Sequence, residues 1–411
     1  MLYKLLVLLV FIAILCSCKN SGFDAGTVTG IDTGTDTRLD TRTDTETSNN
    51  LADSTTYEFE LSFKPDLLEE VVCFDRKDID GNILDESAHL IGFSTNNLYF
   101  SYDNEISWIY AIGDIKENNI IPIYTIPKSI DVFFEAMYNN NLLIGIGNWD
   151  DNSNCNYELF LVSPDKEKRI VYQCISRGYP TVSLVDHYAV VNFAEQNKNS
   201  YTSKLIYIDL NTSVNTTVET SEYTIENNLY NGTFTINAGG WDDGFCYEKV
   251  TMKNESMQDA QSGESAIYFY SLKGKKARKL VDYNRKVFYI SGSSNCFITS
   301  DYSLIPHEKT GLIWVNENDG FTSYTIPGIV SGEDIRNSYR LSNDLVLVNN
   351  FKYYFIFNLR SRTYYVEEYE FSSNDPESFV ALSIRVNRNL FSYMEPNDNK
   401  LIYHIFELGN Y

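Results

Sequence analysis

The stretch YELFLVS (157–163) is apolar or aromatic at odd and even positions alike and ends on a small polar residue. A short apolar run bounded by turn residues fits a strand buried on both faces. The run returns as SWIYAIG (107–113), KLIYID (204–209), AIYFYS (266–271), GLIWVN (311–316), YYFIFN (353–358) and LIYHIFE (401–407). The final residues, Gly113, Ser163, Asp209, Ser271, Asn316, Asn358 and Glu407, are 50, 46, 62, 45, 42 and 49 positions apart. A period near this size points to a repeated four-stranded unit, as in a β-propeller. The long interval holds KNESMQDAQSGES (253–265), which reads as a loop insertion.

The other strands fall in place around this one. Two runs divided by an Asn- or Asp-bearing turn precede it, as in LIGFSTNNLYFSY (90–102), FFEAMYNNNLLIGI (133–146), YRLSNDLVLV (339–348) and IRVNRNLFSY (384–393). A fourth follows, as in NIIPIYTI (119–126), EKRIVYQC (167–174), GFTSYTIP (320–327) and RTYYVEEYEF (362–371). No 3.6-residue apolar stripe lasts two helical turns, so the domain 57–411 is expected to be all-β. We letter the strands A to D from the axis outward. Seven copies favour seven four-stranded blades over six or eight. Sandwiching between neighbours covers both faces of the inner strands, which accounts for 24 Phe, 31 Tyr and 4 Trp without any ligand. The seventh C strand is followed by only four residues, so its D strand must come from elsewhere. YEFELSF (57–63) alternates as an outer strand should and is the expected closing strand, with EVVCF (70–74) as the alternative. Such closure removes an exposed sheet edge.

Two segments precede this domain. MLYKLLVLLVFIAILCSC (1–18) carries one charge, Lys4, before an apolar run. The 14 residues from position 5 to Cys18 fall short of the roughly 20 that span a bilayer, so residues 1–17 read as a secretory signal. Residues 18–56 contain DAGTVTGIDTGTDTRLDTRTDTETSNN, whose Thr, Asp and Gly bury too little to offset ordering entropy; this reads as a disordered tether. The net charge is −23, or −24 once Lys4 leaves with the signal. That balance argues against nucleic acid and against electrostatic adhesion to an anionic membrane.

Leu15-Cys16-Ser17-Cys18 resembles a bacterial lipobox. The resemblance implies acylation of Cys18 (palmitate among the chains) and anchoring to the cell envelope; Lys19, where an Asp would favour the inner membrane, fits the outer membrane or cell surface. With the tether and the strand texture, the chain resembles bacterial lipid-anchored β-propeller proteins, WD40-like or TolB-like in the broad sense. It has no Gly-His…Trp-Asp signature, no Tyr-Trp-Thr-Asp repeat and no Ser-x-Asp-x-Gly-x-Thr-Trp box, so the resemblance transfers no functional residue.

Catalytic motifs are missing: there is no Gly-x-Ser-x-Gly elbow and no Gly-rich phosphate loop followed by Lys and Ser/Thr. His89, His187, His307 and His404 are far apart in the chain. With Cys16 and Cys18 set aside, five cysteines remain, without metal-ligand spacing. Cys155 and Cys174 bracket a hairpin and could form a disulfide, as could Cys246 and Cys296; buried thiols are the plainer reading. DIDGNILDE (78–86) gathers Asp78, Asp80, Asn82 and Asp85 around a tight turn, oxygen donors that suit Ca²⁺. Arg76 stands where an EF-hand's first Asp belongs, so the competing reading is an ordinary Asp-Gly turn. Paired carboxylates are too common in so acidic a chain to mark a glycosidase.

GNWDDN (147–152) recurs as GGWDDG (239–244). The blade register puts Trp149, Asp150 and Asp151 in the B–C loop of blade 2, and the second copy in the A–B turn of blade 4, at the opposite end. Turn chemistry accounts for both. Trp149, Asp150 and Asp151 keep the better claim to ligand contact, because B–C loops share a face with the blade-connecting loops. The expected function is a monomeric, lipid-anchored module that binds an envelope protein, a peptide or a glycan. The alternative is a carbohydrate-active hydrolase or lyase with its site in the axial funnel. Two carboxylates converging there, or a Tyr with a carboxylate and an Arg, would favour the enzyme.

Overall fold

The computed structural model describes residues 57–409 except 63, 85–87, 151–153, 242, 257–262, 284–286, 288, 303–308, 318–319, 327–334, 336, 351–352, 369–383, 388–389 and 396–399. These belong to one compact unit, 50–411. The signal, the tether, Cys18, Asp85 and Asp151 lie outside the described residues.

Among the described residues, strand pairing gives seven successive antiparallel meanders of four strands. They cover 89–127, 131–177, 181–226, 229–283, 289–325, 337–368, and 385–408 completed by Leu67–Asp75. The chain is an all-β propeller. Each of the seven recurring runs lies in a third strand: Ser107–Asp114, Asn154–Val162, Ser200–Asp209, Glu264–Ser271, Lys309–Glu317, Tyr353–Asn358 and Lys400–Leu408. First strands of neighbouring blades touch, so strand A is innermost. Burial follows that order. Strand B of blade 1 is buried on both faces from Leu98 through Tyr102, whereas strand D of blade 2, Lys168–Arg177, buries only Val171 and Ser176.

The core is not one mass but a set of wedges between blades. Seven apolar clusters each join two successive blades, among them Tyr110 and Ile123 with Leu142 and Phe160 between blades 1 and 2. The last wedge sets Phe74 and Tyr403 of blade 7 against Leu90 and Phe100 of blade 1, so the ring is closed. Asn supplies several of the tight turns: Asn139 and Asn140 (φ 46° and 60°), then Asn227 and Asn228 (52° and 63°), adopt the consecutive left-handed conformations of a type I′ hairpin.

An N-terminal strand does close the ring, but it is Leu67–Asp75 rather than 57–63. It runs antiparallel to Lys400–Leu408, from Leu67 opposite Leu408 to Asp75 opposite Lys400. Connectivity explains the difference. Each D strand leads directly into the next A strand, so the closing strand is the one that precedes His89–Phe93. The segment read as the closing strand acts instead as a strap. Tyr57–Glu58 and Glu60–Leu61 pair in parallel with the outer strands of blades 5 and 6. Phe59 packs between Tyr324 and Phe357, at ring-centroid distances of 4.9 and 5.0 Å. The alternation in YEFELSF serves a strap as well as a closing strand, since only Phe59 must face inward.

The insertion in blade 4 also differs from a simple loop, because it begins as strand. Gly244–Ser256 continues for 13 residues alongside Leu229–Trp241, and the start of the latter pairs with the end of Asn215–Glu226. Blades 3 and 4 are thereby joined in one sheet, with a small core of Phe234, Val250 and Met252.

Strand 67–75 and the strap make different contributions to stability. Phe74→Ala is expected to cost about 3–5 kcal/mol in denaturant unfolding, as for other buried aromatics. Truncation through residue 61 leaves blade 7 complete and forfeits mainly the burial of Phe59, about 1.5–3 kcal/mol. A truncation more damaging than Phe74→Ala would reverse this assignment.

Candidate functional site on blade 2

Trp149 and Trp241, which open the two Trp-Asp-Asp copies, sit at opposite ends of their blades, as the register predicts. Trp149 ends strand B of blade 2, Asn141–Trp149. Trp241 ends strand A of blade 4 and faces Gly244 across the A–B turn. Glycine explains the second copy. A Cβ on Gly240 would lie 2.2 Å from the Gly244 carbonyl oxygen, and one on Gly239 would lie 2.8 Å from that of Ile290. The A strands of blades 4 and 5 meet here backbone to backbone, Gly240 beside Gly292. Trp241 is buried over the same junction. This copy is packing, not a site.

Around Trp149 the setting is more open. Its Nε1 donates to Asp131 Oδ2 at 3.0 Å. Tyr179, half exposed, packs edge-on against Trp149 at 4.7 Å and against Phe133 at 4.6 Å. Gly147 makes room for this group, since a Cβ there would come within 2.1 Å of the Phe133 ring.

Asp150 has a structural role. Its Oδ1 accepts the Asn154 backbone N–H at 2.8 Å and its Oδ2 accepts Asn154 Nδ2 at 3.0 Å, while the Asp150 N–H donates to the Asn154 carbonyl. Asp78 and Asn82 form the same ring: backbone N–H to Oδ1 at 2.8 Å, Nδ2 to Oδ2 at 2.7 Å, and a return bond to the Asn82 carbonyl. Tyr102 adds a hydroxyl donor to Asp78 Oδ2 at 2.6 Å. The carboxylate proposed for Ca²⁺ is thus directed inward and spent on protein donors. Asp80 is exposed, and the described residues contain no cluster of three His, Cys, Asp or Glu that could hold a metal. One spacing, Asp-x-x-x-Asn, underlies both stretches that looked like sites.

Of the two cysteine readings, the thiol one fits the structure. Cys155, Cys174, Cys246 and Cys296 are free thiols. Cys155 lies opposite Ser176, and Cys174 lies opposite Tyr157. The two thiols are therefore diagonal neighbours, which in a sheet stand about 7–8 Å apart, beyond the reach of an undistorted disulfide.

Sequence reasoning did not find the recess beside Trp149. A cavity of about 450 Å³ opens on the other face of blade 2. Three strands build it by alternation: Asn156 pairs with Asn148 and Ile175, and Glu158 with Ile146 and Gln173. The Glu158 carboxylate is held in place, accepting Lys168 Nζ at 2.5 Å and Gln173 Nε2 at 2.7 Å. Side-chain amides and an oriented carboxylate between isoleucines can bind a polar, uncharged ligand. Period-2 alternation of Asn148, Asn156, Glu158 and Gln173 on facing strands was the available signal.

The axial edge holds a second polar group. His89 Nε2 lies 2.6 Å from Glu135 Oε2, bridging strands A of blades 1 and 2, and Ser101 Oγ lies 3.1 Å from the same nitrogen. Tyr110 stands beside Glu135, and burial together with that charge keeps its phenol far above the usual range. Burial alone would raise Glu135, but the His89 hydrogen bond and charge outweigh it and hold the carboxyl below its ordinary value. Ser101 Oγ also lies 3.4 Å from Nδ1 of the same ring, and Ser101 is fully buried.

The sequence matches no protein-family model and no curated protein. Among solved structures, an oligogalacturonate lyase in complex with manganese aligns over 84% of this chain and 98% of its own, at 12% identity and a TM-score of 0.48. The WD40 domain of Toxoplasma gondii coronin aligns over 86% and 89%, at 10% identity and 0.45. TolB from Acinetobacter baumannii aligns over 67% and 64%, at 10% identity and 0.34. These similarities concern the fold alone.

The Asp78 ring has a pH signature. Burial favours the protonated carboxyl, but the Tyr102 and Asn82 donors outweigh it and lower its pKa. A lowered folded pKa means stability that is complete at neutral pH and is lost as pH falls through that value. Asp78→Asn is expected to cost about 1–3 kcal/mol at pH 7. The difference from the parent should shrink in strong acid; a gap independent of pH would show that the charge has no part in it.

Proposed function

We propose that this chain is an exported, lipid-anchored propeller that binds a glycan in the recess on the sheet face of blade 2. The observation that carries this reading is the recess of about 450 Å³ lined by Asn148, Asn156, Glu158 and Gln173. Amides and a fixed carboxylate offer donors and acceptors at the spacing of strands, which suits sugar hydroxyls, and Ile146 and Ile175 give the apolar contact that a sugar's C–H faces need. Export and anchoring rest on the signal-like segment, Cys18 and the Thr/Asp/Gly-rich tether. Acyl chains on a single cysteine would hold the domain at the envelope, and the tether would let it reach ligands there.

The alternative, a carbohydrate-active hydrolase or lyase, is supported by one observation. A carboxylate (Glu135), a phenol (Tyr110) and an imidazole (His89) meet at the axial edge. Screening the purified protein on a glycan array, with a reducing-end assay on the same sugars, separates the two readings. Binding without cleavage is expected, with Glu158→Gln lowering affinity about tenfold or more through loss of a charged hydrogen-bond partner. Cleavage that survives Glu158→Gln but not Glu135→Gln would favour the enzyme. Labelling cells with a palmitate analogue tests the anchor, since Cys18→Ser should abolish incorporation and release the protein to the soluble fraction.

A further inference from the structure

We infer that the axial edge of blades 6, 7, 1 and 2 is a second binding site, which takes a carboxylate anion on Arg385. The site is independent of the recess on blade 2.

Arg385 begins the innermost strand of blade 7, Arg385–Asn387, and reaches across the seam to blade 1. Its Nε donates to the Ile91 carbonyl at 2.8 Å and its Nη1 to the Ile384 carbonyl at 3.3 Å. These bonds fix the plane of the guanidinium. No Asp or Glu of the described residues lies within ion-pair distance of it. The Glu135 carboxylate feels the Arg385 charge but takes its hydrogen bond from His89. Tyr339, from the inner strand of blade 6, stands next to Arg385 and donates its hydroxyl to Ile384.

Four blades therefore contribute a guanidinium, an imidazole, two phenols and a carboxylate to this edge, in a chain with 56 acidic and 33 basic residues. The Glu135 carboxylate is engaged by His89 at 2.6 Å, while Arg385 is held by the backbone carbonyls of Ile91 and Ile384. Arg385 is half buried, and the side chains of His89 and Glu135 are 22% and 16% exposed. On innermost strands that exposure is to the axis, where a small anion can enter. A planar guanidinium with a fixed orientation matches a carboxylate by two parallel hydrogen bonds.

A purely structural role for Arg385 is the competing account, because it clips blade 7 to blade 1. Asn387 already makes a neutral clip between the same strands, its Nδ2 donating to the Phe93 carbonyl at 3.0 Å. The two roles can be separated by titrating the full chain calorimetrically with sodium acetate and with sodium glucuronate, against chloride at equal ionic strength. Saturable binding of a carboxylate is expected. Arg385→Gln, which keeps a donor for Ile91 but no charge, should weaken it by about tenfold or more. Arg385→Lys, which keeps the charge but loses the fork, should fall between and decides the matter if the Gln variant does not fold. Asn387→Ala should lower the melting temperature and leave the affinity unchanged. Undiminished binding in Arg385→Gln or Arg385→Lys, or no saturable binding of either anion, overturns the assignment.

Discussion

A blade of this propeller is stable only with a neighbour on each side. Its inner strands carry Phe, Tyr, Leu and Ile on both faces, so a blade alone would expose two apolar faces to water. The seven wedges resolve this by letting every blade serve as half of two cores. The requirement cannot be met at a free end. It forces the ring to close, and closure in turn places the inner strands around an axis and the connecting loops on two rims. The blade 2 recess and the axial cluster both follow from that arrangement.

The repeat was legible because burial on both faces leaves a strong mark, a short unbroken apolar run such as YELFLVS. The turns were legible because Asn at two successive positions tolerates left-handed backbone. Which N-terminal strand closes the ring was less so. YEFELSF and EVVCF each present one or two inward side chains, Phe59 in the first and Val72 with Phe74 in the second. Local alternation cannot rank them; the rule that a D strand feeds directly into the next A strand can.

The candidate sites show the opposite balance. The residues that stood out by composition, Asp78 and Asp150, are loop closers that use an Asn four positions on. Those that converge in space, His89 with Glu135 and Arg385, come from three blades and have no signature in the chain. The residues of the blade 2 recess lie between: they alternate on adjacent strands, but so do the polar positions of any half-exposed sheet. Geometry distinguishes them through the two donors that hold Glu158.

The pairing of Leu67 with Leu408 joins residues 341 positions apart. By the logarithmic cost of loop closure, bringing such ends together opposes folding by roughly 5 kcal/mol before any contact is gained. That pairing cannot form until the last strand has been synthesised. During that interval blades 1 to 6 can assemble in order, while the wedge between blades 7 and 1 stays open to solvent. The ring is therefore expected to complete slowly and in a single late step, and a chain of this topology has a period of exposed apolar edge that chaperones would have to cover.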